Sequence, residues 1–182
     1  MTGGFFDFLP FIEGWDYHLY NIPFHTIVKG VPQQRLKIEK KGWLLNAALI
    51  TTDALGSITL HVQGAGNIIH EATVSPEYAL QTGYVQYDPT GYLTLYNRPN
   101  PLSTAGFYIV SMISPGFTGS PLPYRNVKVE TFLDPASTQT GALLMAAALV
   151  IEVKDERTFL ESLNNLGILN VKKEILDALA KS

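Results

Sequence analysis

Between Val28 and Pro135 the chain is a series of short apolar or alternating runs, each ended by glycine or proline. Arg35 to Lys40 sets Leu36 and Ile38 against Arg35, Lys37 and Glu39, the period of two expected of a half-buried strand. Gly42 interrupts, and Trp43 to Thr52 is apolar almost throughout, as a central strand would be. Asp53-Ala54-Leu55-Gly56 forms a turn. Ser57 to Gln63 alternates again, with Ile58, Leu60 and Val62 on one face. Further strands are predicted over Phe24 to Lys29, Ile68 to Val74, Tyr84 to Tyr87, Tyr92 to Tyr96, Gly106 to Ile113 and Tyr124 to Leu133. Asp88-Pro89-Thr90-Gly91 suits a type I hairpin turn between the tyrosine-rich pair. Ser75 to Gly83 is a longer excursion. About eight strands with short connections predict an all-β fold, an antiparallel β-sandwich of the jelly-roll kind.

The two ends differ from this body. Residues 1–27 crowd Phe5, Phe6, Phe8, Phe11, Trp15, Tyr17, Tyr20 and Phe24 among glycines and prolines, with no sustained helical or strand period. Two readings stand side by side. The segment is a lead-in packed on its own domain, or an arm whose aromatics dock into a neighbouring subunit. Ala142 to Val153 mixes helix-favouring alanines with Leu149, Val150, Ile151 and Val153, and we expect a strand buried on both faces. Asp155 then starts a helix carrying Phe159, Leu160, Leu163 and Leu166, which Gly167 stops. Asn170 caps a second short helix with Val171, Ile175, Leu176 and Leu179. The expected organisation is an arm (1–27), a β-sandwich (28–153) and a helical tail (154–182). The tail lies across its own sandwich or contacts a neighbour.

Composition narrows the functional classes. The 182 residues are enough for one domain with a sizeable core. Hydrophobic residues make up 46% and charged residues only 16%, well under the usual quarter, which leaves less surface that strongly prefers water. The net charge of −3 and the lack of a clustered basic patch argue against nucleic-acid binding, since Glu39 interrupts Arg35, Lys37, Lys40 and Lys41. With no cysteine there are no disulfides, thiolate metal sites or cysteine nucleophiles. The start of the chain has no basic segment of a secretory signal, and the apolar stretch Gly141 to Ile151 is shorter than the ~20 residues of a membrane helix. We therefore expect a soluble protein without a membrane span.

No catalytic constellation emerges. Of the four histidines, His61 and His70 fall on adjacent predicted strands, with Glu71 after His70. The spacing lacks a close His-x-His pair, and His70 and Glu71 belong to opposite sheet faces, so no metal centre and no cofactor are expected. Asp53 and Asp88 are explained as turn residues. There is no nucleophile elbow, and Gly64-Ala65-Gly66 is too short for a dinucleotide fingerprint. Tyr84, Tyr87, Tyr92 and Tyr96 give a candidate sugar-stacking platform, against the plainer reading of cross-strand pairs shielding a half-exposed sheet.

Three segments carry a resemblance. Gly42-Trp43-Leu44-Leu45 running into Leu49-Ile50-Thr51-Thr52-Asp53 is one. Asn97-Arg98-Pro99-Asn100-Pro101 before Gly106-Phe107-Tyr108 is the second, and Pro121-Leu122-Pro123-Tyr124-Arg125-Asn126 before a strand is the third. Together they resemble β-sandwich structural proteins of virus particles, phage-like or archaeal-virus-like, over about Gly42 to Leu133. The resemblance is one of rhythm and transfers no binding or catalytic residue. It implies a non-enzymatic capsid, decoration or tail component, located in the virion and assembled in host cytoplasm. Such a protein would associate with itself and other virion proteins. The interface expected from the apolar ends comprises Phe5, Phe6, Phe8, Phe11, Trp15, Phe159, Leu163, Leu166, Ile175 and Leu179. The competing expectation is a carbohydrate-binding module using the four tyrosines.

Overall fold

The structure, a computed structural model, describes residues 9–64, 69–77, 85–88, 107–113 and 122–179. Ten strands are described: β1 (Trp15–Val28), β2 (Gln33–Ile38), β3 (Gly42–Thr51), β4 (Gly56–Gln63), β5 (Ile69–Val74), β6 (Val85–Asp88), β7 (Phe107–Ile113), β8 (Leu122–Tyr124), β9 (Asn126–Leu133) and β10 (Gly141–Val153). Two helices follow, α1 (Glu156–Asn165) and α2 (Lys173–Leu179). The chain divides into two compact units, Leu19–Val150 in one and Met1–His18 with Ile151–Ser182 in the other.

The larger unit is a two-sheet sandwich. One sheet has the order β1-β10-β3-β7-β6, with β8 also pairing β3, and the other has the order β2-β9-β4-β5. The first strands alternate between the sheets, and the late strands β9 and β10 insert between early ones. This interleaving of two Greek keys is jelly-roll topology. The expected all-β sandwich is therefore the observed fold. Every strand pair with a described register is antiparallel.

Hydrophobic alternation explains why the sheets face each other. Ile58, Leu60 and Val62 of β4 are buried, and so are Val127, Val129 and Leu133 of β9. They meet Leu44, Ala47 and Leu49 of β3 and Leu144, Ala146, Ala148 and Val150 of β10 in one apolar cluster. β3 holds the central position that its apolar run predicts. β10 is a strand, as expected, but it is not buried equally on both faces. Ala142, Leu144, Ala146, Ala148 and Val150 are buried, while the residues between them up to Leu149 are only half-buried.

β1 extends far upstream of the strand expected at Phe24. It is an edge strand, and only Ile22 and Ile27 of it are buried apolar residues, so little of a two-residue period is imprinted on it. Pro23 fits the same position, since an edge strand tolerates a missing N–H. The hairpin expected around Asp88–Gly91 lies outside the described residues beyond Asp88, as do the strand Tyr92 to Tyr96 and the excursion from residue 78 to Gly83.

One end of the sandwich is closed by side-chain bonds to turns. Asp53, between β3 and β4, accepts from Leu55 N (2.8 Å) and from the Ser137 hydroxyl (2.6 Å). Ser137 in turn accepts from Gln139 N (3.0 Å). The turn role read for Asp53 thus extends to pinning the β9–β10 connection, and the carboxylate is buried by these partners.

In the smaller unit, Asp155 caps α1 by accepting from Thr158 N (3.0 Å), and that backbone bond holds its carboxyl below the usual range. Gly167 ends the helix region at φ +71. α2 starts later than Asn170 would place it. The Asn164 side chain bonds both the N–H (2.8 Å) and the carbonyl (3.0 Å) of Val171, which fixes that residue before the helix, and Lys172 O accepts the first helical bond from Ile175 N. Gly14 lies against the start of α1, and its carbonyl accepts from Lys154 N (2.8 Å) and Asp155 N (3.1 Å). Its φ is +81, and a methyl there would sit 2.6 Å from Asp155 O and 2.7 Å from Phe159 N. At Gly167 a methyl would meet nothing within 4 Å. Denaturant titration of Gly14→Ala and Gly167→Ala should separate clash from backbone strain. The Gly167 variant should lose about 1–2 kcal/mol, and the Gly14 variant about 3 kcal/mol or more, because backbone atoms must also move. Equal losses would contradict the tight seat of Gly14.

Candidate functional site

The outward sides of the two sheets are chemically opposite. β3, β7 and β8 contain no Asp, Glu, Lys or Arg. β10 contains only Glu152, which is buried, β1 only Asp16, and β6 only Asp88. Leu45 and Ile50 of β3, Ile109 of β7, and Leu143, Met145 and Leu149 of β10 are half-buried apolar side chains between the inward positions, with Ile50 opposite Ile109 in register. β10 is unusual in placing several small residues inward (Ala142, Ala146, Ala148) and its bulkier Leu143, Met145 and Leu149 outward. An antiparallel sheet whose outer face meets water ordinarily carries polar residues there.

The four-stranded sheet does so. Its outward positions form three cross-strand rows: Asn126, Gln63 and Ile69; Lys128, His61 and Glu71; Glu130, Thr59 and Thr73. Gln34 of β2 continues the third row beside Glu130, and a register shift between Gln34 and Leu36 adjoins it. His61 sits at the centre. Its Nδ1 lies 3.0 Å from Glu71 Oε1 and its Nε2 3.3 Å from Glu130 Oε2. The second contact is an ion-pair distance without hydrogen-bond geometry. Asn126 donates its amide to Gln63 Oε1. A groove of about 200 Å³ opens here, lined by Gln34, His61, Gln63, Ile69, Asn126, Lys128 and Glu130.

The register places His70 opposite Val62 and Glu71 opposite His61, so the two residues have opposite parity, as alternation predicts. Among the described residues no three His, Asp or Glu side chains gather to hold a metal. His25 is elsewhere, bridging the sheets from β1 to β9. Its Nδ1 donates to Pro23 O (3.0 Å), so the neutral ring presents Nε2 as an acceptor for the Thr131 hydroxyl at 3.0 Å.

The residues expected to line a subunit interface separate into groups. Phe159 and Leu163 are buried within the chain, so these two belong to its interior rather than its surface. The helical spacing that singled them out marks a buried face, and spacing alone does not say what covers it. Trp15 is half-buried, and its Nε1 donates to Leu9 O (3.1 Å) and Ile12 O (2.7 Å), holding its own segment. Phe11, Leu166 and Ile175 are exposed, Phe11 to 68%. Leu179 ends α2. Phe5, Phe6 and Phe8 lie outside the described residues. So do Tyr84, Tyr92 and Tyr96 of the expected sugar platform, while Tyr87 pairs with Tyr108 in register. The outward apolar positions of β3 and β10 and the amides beside His61 were not singled out from sequence. The signal for the first was present in the charge-free runs of β3 and β10.

No family model matches the chain, and no curated protein matches it. Among the described residues no helix is long and apolar enough to cross a membrane.

Burial lowers the pKa of His25 from 6.5, the Pro23 hydrogen bond opposes that shift, and nearby Arg35 adds to it. The folded protein thus resists protonation that the unfolded chain accepts. The contribution of His25 to stability should be complete above the unfolded value of 6.5 and decline as pH falls from there toward the lower folded pKa. Unfolding midpoints of the protein and of His25→Gln, followed from neutral to mildly acidic pH, should converge or cross in that window. A constant gap would contradict it.

Proposed function

We propose that the protein is a non-enzymatic structural subunit, of the kind that builds virus particles, and that it self-assembles through the outward face of its six-stranded sheet. The observation that carries this reading is the partition of charge. Arg35, Lys37, Glu71, Lys128 and Glu130 all fall on the four-stranded sheet, while the strands at the centre of the other sheet are uncharged or have their one carboxylate buried. A half-buried face of Leu, Ile and Met loses little by leaving water and gains when a like surface covers it. A second copy of the same face is such a surface, since two-fold association brings a patch against itself and needs no charge matching. Two sheets packed face to face stand about 10 Å apart, so side chains of this size fill the gap.

The jelly-roll topology supports the virion assignment in a general way, because capsid proteins use this scaffold, although lectins and cupins use it too. The exposed Phe11, Leu166 and Ile175 supply further apolar surface for contacts with other virion proteins. Static light scattering and native mass spectrometry should find a homo-oligomer. Leu143→Glu or Leu149→Glu should weaken association at least about tenfold, because an unpaired carboxylate buried at the contact costs more than the ~1.4 kcal/mol that a factor of ten represents. Both positions lie on the outward side, so circular dichroism and the unfolding midpoint of the separated chains should stay near those of the parent. A parent protein that remains monomeric at high concentration, or variants that assemble unchanged, would overturn the proposal.

A further inference from the structure

The groove on the four-stranded sheet has no part in that assembly face, and its chemistry is different. Three carboxamides converge there, Gln34, Gln63 and Asn126, together with the Glu130 carboxylate and the Lys128 ammonium. Each carboxamide both donates and accepts, and each is planar. Adjacent hydroxyl groups on a ring ask for that combination, with one hydroxyl giving its proton to a carbonyl or carboxylate oxygen while its neighbour receives one from an amide. Ile69 at the edge of the groove is 60% exposed and offers an apolar surface to the C–H side of a ring.

We infer that this groove binds a single neutral sugar ring, held by Gln34, Gln63, Asn126 and Glu130 with Ile69 beneath its apolar side. Three features select this ligand class. Lys128 and Lys37, opposite each other in register, share this face with Glu71 and Glu130, so neither an anion nor a cation meets a field of one sign. The volume of about 200 Å³ is below the roughly 300 Å³ at which drug-sized sites begin, and it admits one ring with the rest of a glycan outside. The binding groups stand on β4 and β9, which are paired over eight registered positions, so the floor is rigid. Gln34 of β2 and Ile69 of β5 come from the two edge strands, Gln34 next to an irregularity of the kind that re-aims side chains beside binding sites.

His61 adjoins the groove: its Nδ1 is hydrogen-bonded to Glu71 at 3.0 Å, and its Nε2 lies 3.3 Å from the Glu130 carboxylate. On a multi-copy assembly many weak one-ring sites would act together, so attachment to a glycan-coated surface needs no tight single site.

A glycan array of neutral and anionic sugars, followed by solution titration of the best monovalent neutral sugar by calorimetry or NMR, tests this directly. Monovalent titration makes the result independent of assembly. A neutral sugar should bind, and Gln34→Ala and Asn126→Ala should each lower its affinity at least about tenfold, a change of ~1.4 kcal/mol, without altering the unfolding midpoint appreciably. Leu143→Glu, on the other sheet, should leave the titration unchanged. Binding of no neutral sugar, binding that survives both substitutions, or binding confined to anionic glycans and lost in Lys128→Ala would each overturn the inference.

Discussion

The arrangement depends on one constraint: a strand shows its side chains alternately to two faces, and β10 spends its small residues on the interior. Ala146 and Ala148 line the same interior space as Ile58, Leu60 and Val129 from the opposite sheet, while Leu143, Met145 and Leu149 lie on the other side. A one-residue slip of β10 would drive the large side chains into a core already filled and expose the alanines. Register in this strand therefore sets both the thickness of the sandwich and the character of its outer surface. β10 lies between β1 and β3, so that surface is continuous across the middle of the sheet.

The two outer faces then follow from where charge was placed. Strands β2, β5 and β9 carry their Lys, Arg and Glu at outward positions: Glu71 and Glu130 flank His61, Lys37 pairs with Glu39, and Arg35 bonds Gln33. In the other sheet β3, β7 and β8 have no such residues, and the one carboxylate of β10, Glu152, is buried. Two surfaces of one sandwich thereby differ in character, one apolar through its central strands and the other polar and charged. Among the described residues, several polar groups away from the surface are bonded in pairs: Asp53 to Ser137 and Leu55, His25 to Thr131, Glu152 to Lys154.

Much of the fold was legible because the strands of the small sheet alternate cleanly. Ile58, Leu60 and Val62 were readable as one buried face, and the cap at Asp155 and the stop at Gly167 followed from local chemistry. β1 was not legible through most of its length, since an edge strand with Pro23 and exposed Tyr17 and Leu19 carries no period. The groove was hidden for a different reason. Gln34, Gln63 and Asn126 are distant in sequence and meet only because β9 inserts between β2 and β4, a long-range pairing that local pattern does not encode. His61 beside Glu71 was within reach, being a hairpin neighbour. Helical spacing in Phe159 and Leu163 identified burial correctly as a property of the helix and left open which surface provides it.

The proposed assembly requires another copy to cover the outer face of the uncharged central strands of the large sheet. Hydroxyl-radical footprinting of the native material, compared with the same protein diluted to separated chains, reads that face through Met145 and Trp43, with Tyr17 as an exposed reference. Met145 and Trp43 should be labelled substantially less in the native material than in separated chains. Equal labelling of both residues in the two states would contradict it.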